Sequence, residues 1–388
     1  MTTAEEQVLE RTIDTACGRY FGVITLNAPV TLNALSLPIF RRMTGILHRF
    51  RDDPRAVGVI IDSSSDKAFC AGGDVVSLYH AIQENGAGKV PPLAYQLFEN
   101  EYRMDYMIHT YPKPVLCWGH GVVMGGGVGI MCGASHRVAT PGTRMAMPEI
   151  TIGLFPDVAG SWFLPRMPGK TGLFLALTGS LMNAADACFS GMADYVIDHA
   201  GKASVLESIA ATGWADPVQA RCQNDVQLTV LLQALCAAPG SYPASMLREH
   251  FDTINSVIGQ DGLEAIAPRL GALRGHPDVW LARAGTTFAQ GSPWSAVLAY
   301  TMQQVAARLS LAEVFRLEYL VATASAGTRD FPEGVRALLV EKDKKPRWQH
   351  QSVTDVTLGD IAAMMQAPAG SHPLADLQEP PAMQRLRH

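Results

Sequence analysis

Val115 to Ala134 reads VLCWGHGVVMGGGVGIMCGA, twenty uncharged residues that follow Lys113-Pro114. The run opens as an apolar segment, passes through Gly125, Gly126 and Gly127, and resumes as an apolar segment. This pattern predicts a buried strand, a loop of bare backbone, and the first turn of a buried helix. Three successive glycines remove every Cβ where the loop enters the helix, so a ligand can approach the N–H groups there. Those groups have no partner inside the helix, and the helix dipole favours negative charge at that end. An oxygen that turns negative during a reaction would be stabilised in such a place.

Twenty uncharged residues could also cross a membrane, and Gly121 with Gly125 forms a GxxxG pair. Seven glycines and His120 within the run argue against a lipid-exposed helix. Gly119, Gly121 and Gly125 give GxGxxxG, not the GxGxxG of a dinucleotide loop. On this stretch alone, a loop with a purely structural task stays open. Its neighbours decide.

At 388 residues the chain can hold one large domain with an extension, or two domains. Hydrophobic content of 48% with 17% charged residues describes a well-packed globular protein. A net charge of −5 without any Lys/Arg-rich block gives no reason to expect a nucleic-acid partner. The seven cysteines are scattered without CxxC or Cys/His metal spacing, so no metal site is expected. An odd number in mostly apolar settings implies free thiols in a reducing compartment. The first twenty residues carry early acids and no apolar signal core, nor a clear transit peptide. The cytoplasm is therefore the expected location, or the mitochondrial matrix in a eukaryote.

Around the central stretch, Tyr20–Asn27 and Val57–Ile61 read as buried strands. Ser36, with Pro38 behind it, opens a helix whose inner face is Phe40, Met43, Leu47 and Phe50. A second glycine loop, at Gly72 and Gly73, leads into a helix from Asp74, and another helix is expected over Leu93–His109. His136–Thr140 and Arg144–Met147 read as short strands, residues 148–160 as a loop, and Leu164–Thr178 as a helix stopped by Gly179. Strand, glycine loop and helix recur, which suggests an α/β fold where two such loops converge. From about residue 205 the texture is helical. Ser292 with Pro293 and Ser310 with Glu313 mark helix starts. The expected division is a catalytic core over 1–204 and a helical region over 205–388 that covers it.

Several motifs fail on inspection. Gly169-Lys170-Thr171 lacks the first glycine of a phosphate loop, because position 164 is Leu. Neither GxSxG nor HExxH occurs. His120, inside an apolar run, is expected to be a hydrogen-bonded buried imidazole more than a base. Two carboxylates are better candidates, Glu149 after Met147-Pro148 and Asp157 after Leu154-Phe155-Pro156. An ionised carboxylate among apolar residues is costly unless paired or ligand-bound, and burial raises its pKa toward the range of acid/base work. Taken singly, either could instead cap a helix or pair with Arg144 or Arg166.

KAFCAGGD at 67–74, HGVVMGGGVG at 120–129 and MPEITIGLFPD at 147–157 together resemble the crotonase (enoyl-CoA hydratase/isomerase) superfamily. The third motif, with RDFPEGVRALLVEKDKKPRW at 329–348, looks like the 3-hydroxyisobutyryl-CoA hydrolase branch. The resemblance covers residues 20 to 350 and weakens over the last forty. It implies a crotonase-like spiral of ββα units with a helical C-terminal extension, and thioester hydrolysis of a short 3-hydroxyacyl-CoA, a step of valine catabolism. By resemblance, the amides of Gly73 and Gly126 form an oxyanion hole. Glu149 matches the catalytic glutamate, Asp157 its partner that binds the 3-hydroxyl, and Glu101 a substrate-contacting glutamate. A hydratase commonly carries a glutamate where this chain has Gly129, and glycine where it has Asp157. Those departures favour hydrolysis over water addition, with a hydratase or a non-catalytic binding protein as alternatives. No cofactor is implied, since CoA comes with the substrate. No nucleic-acid or membrane partner is expected, and a homo-oligomer is compatible with the family.

Overall fold

Strands rich in β-branched and aromatic residues set the frame, and the computed structural model describes residues 3–86, 88–217, 220–366 and 371–378. In chain order the strands are β1 (Val8–Asp14), β2 (Tyr20–Leu26), β3 (Ala56–Ser63), β4 (Ala68–Cys70), β5 (Val115–Gly119), β6 (Val122–Met124), β7 (His136–Ala139), β8 (Arg144–Ala146) and β9 (Tyr195–Val196). Among the described residues they form a six-stranded sheet, β1-β2-β3-β5-β7-β9, and a three-stranded sheet, β4-β6-β8. All pairings are parallel except the β1–β2 hairpin. From β3 to β8, consecutive strands go alternately to the large and the small sheet. This is the expected ββα spiral.

β2, β3 and β5 of the large sheet are buried on both faces, so they read as largely unbroken apolar runs, whereas the edge strand β1 is polar and mostly exposed. Val115 and Cys117 of β5 face the main core, while Leu116 and Trp118 face a second cluster. That second cluster is closed by Trp214 and by Leu228 and Leu232 of the helix Arg221–Ala234. The main core draws on both parts of the chain, with Phe155 and Phe174 packed in the same cluster as Leu298, Phe315 and Phe331.

The first part includes the helices α1 (Leu37–Asp52), α2 (Val75–Asn85), α3 (Pro92–His109) and α4 (Gly126–Gly133), of which α3 carries Glu101 and α4 begins at Gly126. Farther along, α5 (Thr171–Thr178), α6 (Pro293–Ala306) and α7 (Leu311–Ser325) matter most. Ser292 accepts from the Ser295 amide at 3.0 Å to cap α6, and Ser310 with Glu313 forms a capping box on α7. Both caps were expected from the sequence.

Three expectations need correction. Val115–Ala134 holds two strands, not one, and they lie in different sheets. Gly121, at φ +60°, makes the turn between them, with its bare α-carbon against the Lys67 carbonyl. Leu164–Thr178 is not one helix. A short 3-10 turn, Leu164–Arg166, precedes α5, because Pro168 and Gly169 (φ +59°) break the run. Residues 148–160 are not all loop, since Glu149–Thr151 forms a 3-10 turn. β1, β4 and β9 lie outside the expected elements. β4 and β9 have only three and two residues, too short for any periodicity to show.

Gly153, between the two candidate carboxylates, sits at φ +73° against the Asp330 carbonyl, and a Cβ would stand 2.6 Å from the Phe331 amide nitrogen. Backbone on both sides leaves no flexible group to yield. Gly153→Ala should therefore lower the unfolding free energy by about 3 kcal/mol or more, combining left-handed strain with overpacking. Urea unfolding with a shift under about 1 kcal/mol would show that the two segments can part freely.

Candidate active site

The two glycine loops meet. Gly72 (φ +110°) sits beside Gly125, and a Cβ placed on Gly126 would stand 3.7 Å from the Gly73 nitrogen. Gly126 is the first residue of α4, so its N–H has no partner within the helix. On Gly73, Leu35 bonds to the flanking peptides instead, donating to Gly72 O and accepting from the Asp74 amide. The backbone nitrogens of Gly73 and Gly126, the pair that the resemblance assigns to an oxyanion hole, thus lie close together where the two loops meet.

Carboxyl groups close around that space. Glu101, on α3, places Oε1 where a Cβ on Gly126 would come within 2.6 Å of it. Glu149 opens its 3-10 turn with Oε1 at 3.3 Å from the Cβ position of Gly125, and its Oε2 is buried without a hydrogen-bond partner. Asp157 accepts a 2.6 Å hydrogen bond from the Tyr102 hydroxyl, also on α3. All three are buried. The five residues predicted for the site, Gly73, Glu101, Gly126, Glu149 and Asp157, are therefore brought together in one place. Neither Arg144 nor Arg166 pairs with the carboxylates: the Arg166 guanidinium stacks on Trp162 instead, 4.1 Å from the ring centroid.

Three further residues escaped the sequence reading. Asp105 lies one turn after Glu101 on α3, fully buried, with neither carboxyl oxygen hydrogen-bonded. Two acids at i, i+4 within an apolar helix face were a usable signal. Tyr102 is the second. Glu318 of α7 is the third, fully buried, with Oε2 accepting from the Ala159 amide at 2.8 Å and Oε1 from the Ser161 amide at 2.9 Å. No local signal marks it, because its partners lie some 160 positions away in sequence. It holds a strained turn: Val158 and Ala159, directly after Asp157, both have left-handed φ, +50° and +70°.

Burial is the first cause of every pKa shift in the cluster. It pushes Glu149 well above the ordinary carboxylate range, and the neighbouring Asp157 adds to that. Glu101 is raised in the same way, with Asp157, Asp105 and Glu149 adding to burial. Asp105 is also raised by burial, then by Asp157 and Glu318. Burial pushes Asp157 up to about 6 against the opposing hydrogen bond from Tyr102. Glu318 rises to about 8 through burial and Asp157, partly offset by its two backbone donors. The arrangement suits attack on a polarised carbonyl: two N–H donors for the oxygen, and acids poised to exchange protons near neutral pH.

His120 is not part of it. Its Nε2 is 2.5 Å from the Ser65 carbonyl oxygen and its ring is 4.2 Å from that of His199, the buried imidazole expected from its setting.

Comparison with known proteins fits this geometry. The model of a family described as enoyl-CoA hydratase/isomerase matches residues 21–365. A protein of Xenopus tropicalis named 3-hydroxyisobutyryl-CoA hydrolase, mitochondrial, is 37% identical over 341 residues, covering 87% of this chain and 84% of that protein. The human protein of that name is 33% identical over 366 residues, covering 92% and 88%. Among solved structures, a carnitinyl-CoA dehydratase from Mycobacterium thermoresistibile superposes with a TM-score of 0.81 at 31% identity, over 96% of this chain and all of that one. An enoyl-CoA hydratase from Rhodobacter sphaeroides gives 0.76 at 30% identity, over 94% and 98%.

The raised pKa of Asp157 has a stability consequence whose sign is fixed by linkage. Between its ordinary value of 3.8 and about 6, the folded chain keeps a proton that the unfolded chain has lost. The associated stability is fully present below about 4 and is lost as the pH rises through about 6. Asp157→Asn should therefore gain stability relative to the unmodified chain, by about 2 to 3 kcal/mol, as the pH is raised across that window. A difference that stays constant from pH 4 to 7 in denaturant unfolding would refute it.

Proposed function

The chain belongs to the enoyl-CoA hydratase/isomerase family, and on that premise we propose that it hydrolyses the thioester of a short 3-hydroxyacyl-CoA. The foremost substrate is 3-hydroxyisobutyryl-CoA, giving 3-hydroxyisobutyrate and CoA, the activity for which its relatives are named. One observation carries the reading: Glu149 and Asp157 stand buried at a pair of open backbone amides, while the position of a second hydratase glutamate is closed. A Cβ on Gly129 would meet the Val158 Cβ at 2.7 Å and Asp105 Oδ2 at 3.1 Å. A glutamate side chain has no room there.

In the proposed reaction the thioester carbonyl lies between the amides of Gly73 and Gly126, which stabilise the oxygen as it gains charge. Glu149 acts either as the nucleophile, giving a mixed anhydride that water then cleaves, or as the base that deprotonates an attacking water. Both routes break the C–S bond and use the same position of the carboxylate. Asp157 accepts a hydrogen bond from the substrate's 3-hydroxyl, and the proton lost by the attacking water, taken up by Glu149 or Asp157, is the one that the departing thiolate finally receives. Glu101, beside the same carbonyl site, contacts the acyl group. No metal or redox group takes part, and CoA arrives as part of the substrate.

The second reading, hydration of an enoyl-CoA, draws on the names of the two solved structures. The closed slot at Gly129 argues against it. Among the described residues no helix is long and apolar enough to cross a membrane, and all seven cysteines are free. The proposed compartment is the cytoplasm, or the matrix in a eukaryote.

Thiol release from 3-hydroxyisobutyryl-CoA tests the assignment, with matched CoA esters lacking the 3-hydroxyl as controls. Rapid release confined to the 3-hydroxy esters is expected; release from none, with an absorbance change on enoyl-CoA, would install the hydratase reading. Glu149→Gln should cut kcat by about a thousand-fold or more while CoA esters still bind. Because Glu149 must be ionised and burial raises its pKa, kcat/KM should climb with pH along a limb lying well above the ordinary carboxylate range. A limb centred near 4.5 would contradict the buried setting of Glu149.

A further inference from the structure

Residues 371–378 lie outside the stretch matched by the family model, yet they dock against the two helices that hold Asp157. On α3, Arg103 makes a two-pronged pair with Asp376, both N···O distances 2.9 Å, and also donates to the Pro373 carbonyl. The Tyr106 hydroxyl donates to the Gln378 carbonyl. On α7, Arg316 donates to the Leu377 carbonyl at 2.9 Å. His372 packs edge-on against Tyr319, with ring centroids 5.3 Å apart. The Leu374 amide donates to His372 Nδ1 at 3.0 Å, which leaves the hydrogen on Nε2 to donate to the Arg316 carbonyl, also at 3.0 Å. Leu374 itself is fully buried in the main core.

Between these anchors Phe315 of α7 packs among Tyr102, Tyr106 and His109 of α3, at ring-centroid distances of 5.8 to 6.0 Å. The same stretches of the two helices grip the loop that carries Asp157, with Tyr102 next to Arg103 and Glu318 between Arg316 and Tyr319. Tyr102 bonds Asp157, and Glu318 bonds the amides of Ala159 and Ser161. The strained turn at Val158-Ala159, closed within itself by a 2.6 Å hydrogen bond from the Gly160 amide to the Asp157 carbonyl, is tied through these bonds to both helices, so its position follows the spacing between α3 and α7.

We propose that residues 371–378 form a clasp that fixes α3 against α7 and so positions Asp157 for the reaction, with Leu374 as its buried pin and Asp376 as its outer catch. Asp376 is two-thirds exposed, so its pair with Arg103 contributes little alone. The pin and the backbone bonds carry most of the hold. A shift of a fraction of an ångström in Asp157 suffices to cost rate, because proton transfer and hydroxyl recognition both require close contact. The inference rests on the hydrolase reading only for its rate measurement.

Leu374→Ser and Asp376→Arg, each in the full chain, provide the test, with Tyr102→Phe as a third variant for a double-mutant cycle. Leu374→Ser should lower kcat for thiol release about ten-fold with KM changed less than two-fold, and Asp376→Arg should lower it less, in the same direction. In the Tyr102→Phe background the loss from Leu374→Ser should largely disappear, because both changes act through Asp157. Amide hydrogen exchange over 157–163 should speed up about ten-fold in Leu374→Ser and several-fold in Asp376→Arg, whatever the enzyme's substrate. Unchanged exchange at 157–163 in both variants, or rate losses that add fully in the cycle, would overturn the clasp. If Leu374→Ser proves partly unfolded, the exposed Asp376→Arg decides. Absence of thiol release by the unmodified chain would sink the hydrolase reading alone, leaving the exchange result to judge the clasp.

Discussion

Carboxyl groups taken out of water must be neutral or be solvated by protein donors, and five of them share one interior region here. Glu101, Asp105, Glu149, Asp157 and Glu318 are all at most 5% exposed. Among the described residues, no lysine or arginine forms an ion pair with any of them. An isolated buried charge costs several kcal/mol, so protons and N–H or O–H donors must do what cations do elsewhere. Tyr102 serves Asp157 and two backbone amides serve Glu318. The amides of Gly73 and Gly126 are the donors left over. A site that is short of positive charge and holds two unspent N–H groups is ready for an oxygen that becomes negative only in passing.

This requirement explains why the chain needs its second part. Asp157 lies in a turn with two successive left-handed residues, and such a turn persists only where its surroundings hold it. The hold comes from α7, through Glu318, across 159 positions of sequence from Ala159. Gly153 locks the same loop against Asp330, which in turn accepts from Ser292 at the start of α6. Glu318 and Asp330, both from the helical region, therefore help hold the loop that carries Asp157.

Much of this was legible in the sequence, and the exceptions have physical causes. The buried strands announced themselves because parallel strands covered on both faces are continuously apolar, as in Val57–Ile61. The glycine loops and the pair Glu149 and Asp157 were visible because their chemistry is local: bare backbone, or an acid among apolar neighbours. Roles for Gly73, Gly126 and Glu101 came from family resemblance, since nothing about a single glycine says which way its amide points. Glu318 and Tyr102 were hidden because each acts on a residue far away in sequence, and tertiary contact leaves no periodic trace. The split of Leu164–Thr178 is masked in the sequence because the run is apolar enough for one helix, although Pro165 and Pro168 break it.

The closed slot at Gly129 also constrains how this chain could change over generations. The atom in the way is the β-carbon of a valine whose own backbone is strained, so it has no flexible end to swing aside. Acquiring an acid at position 129 demands a smaller residue at 158 and a new conformation or identity at 105, and either of those changes made first disturbs the loop that carries Asp157. The three positions form an epistatic knot. A two-glutamate site in this chain would therefore require coordinated changes at 105, 129 and 158 rather than a single substitution.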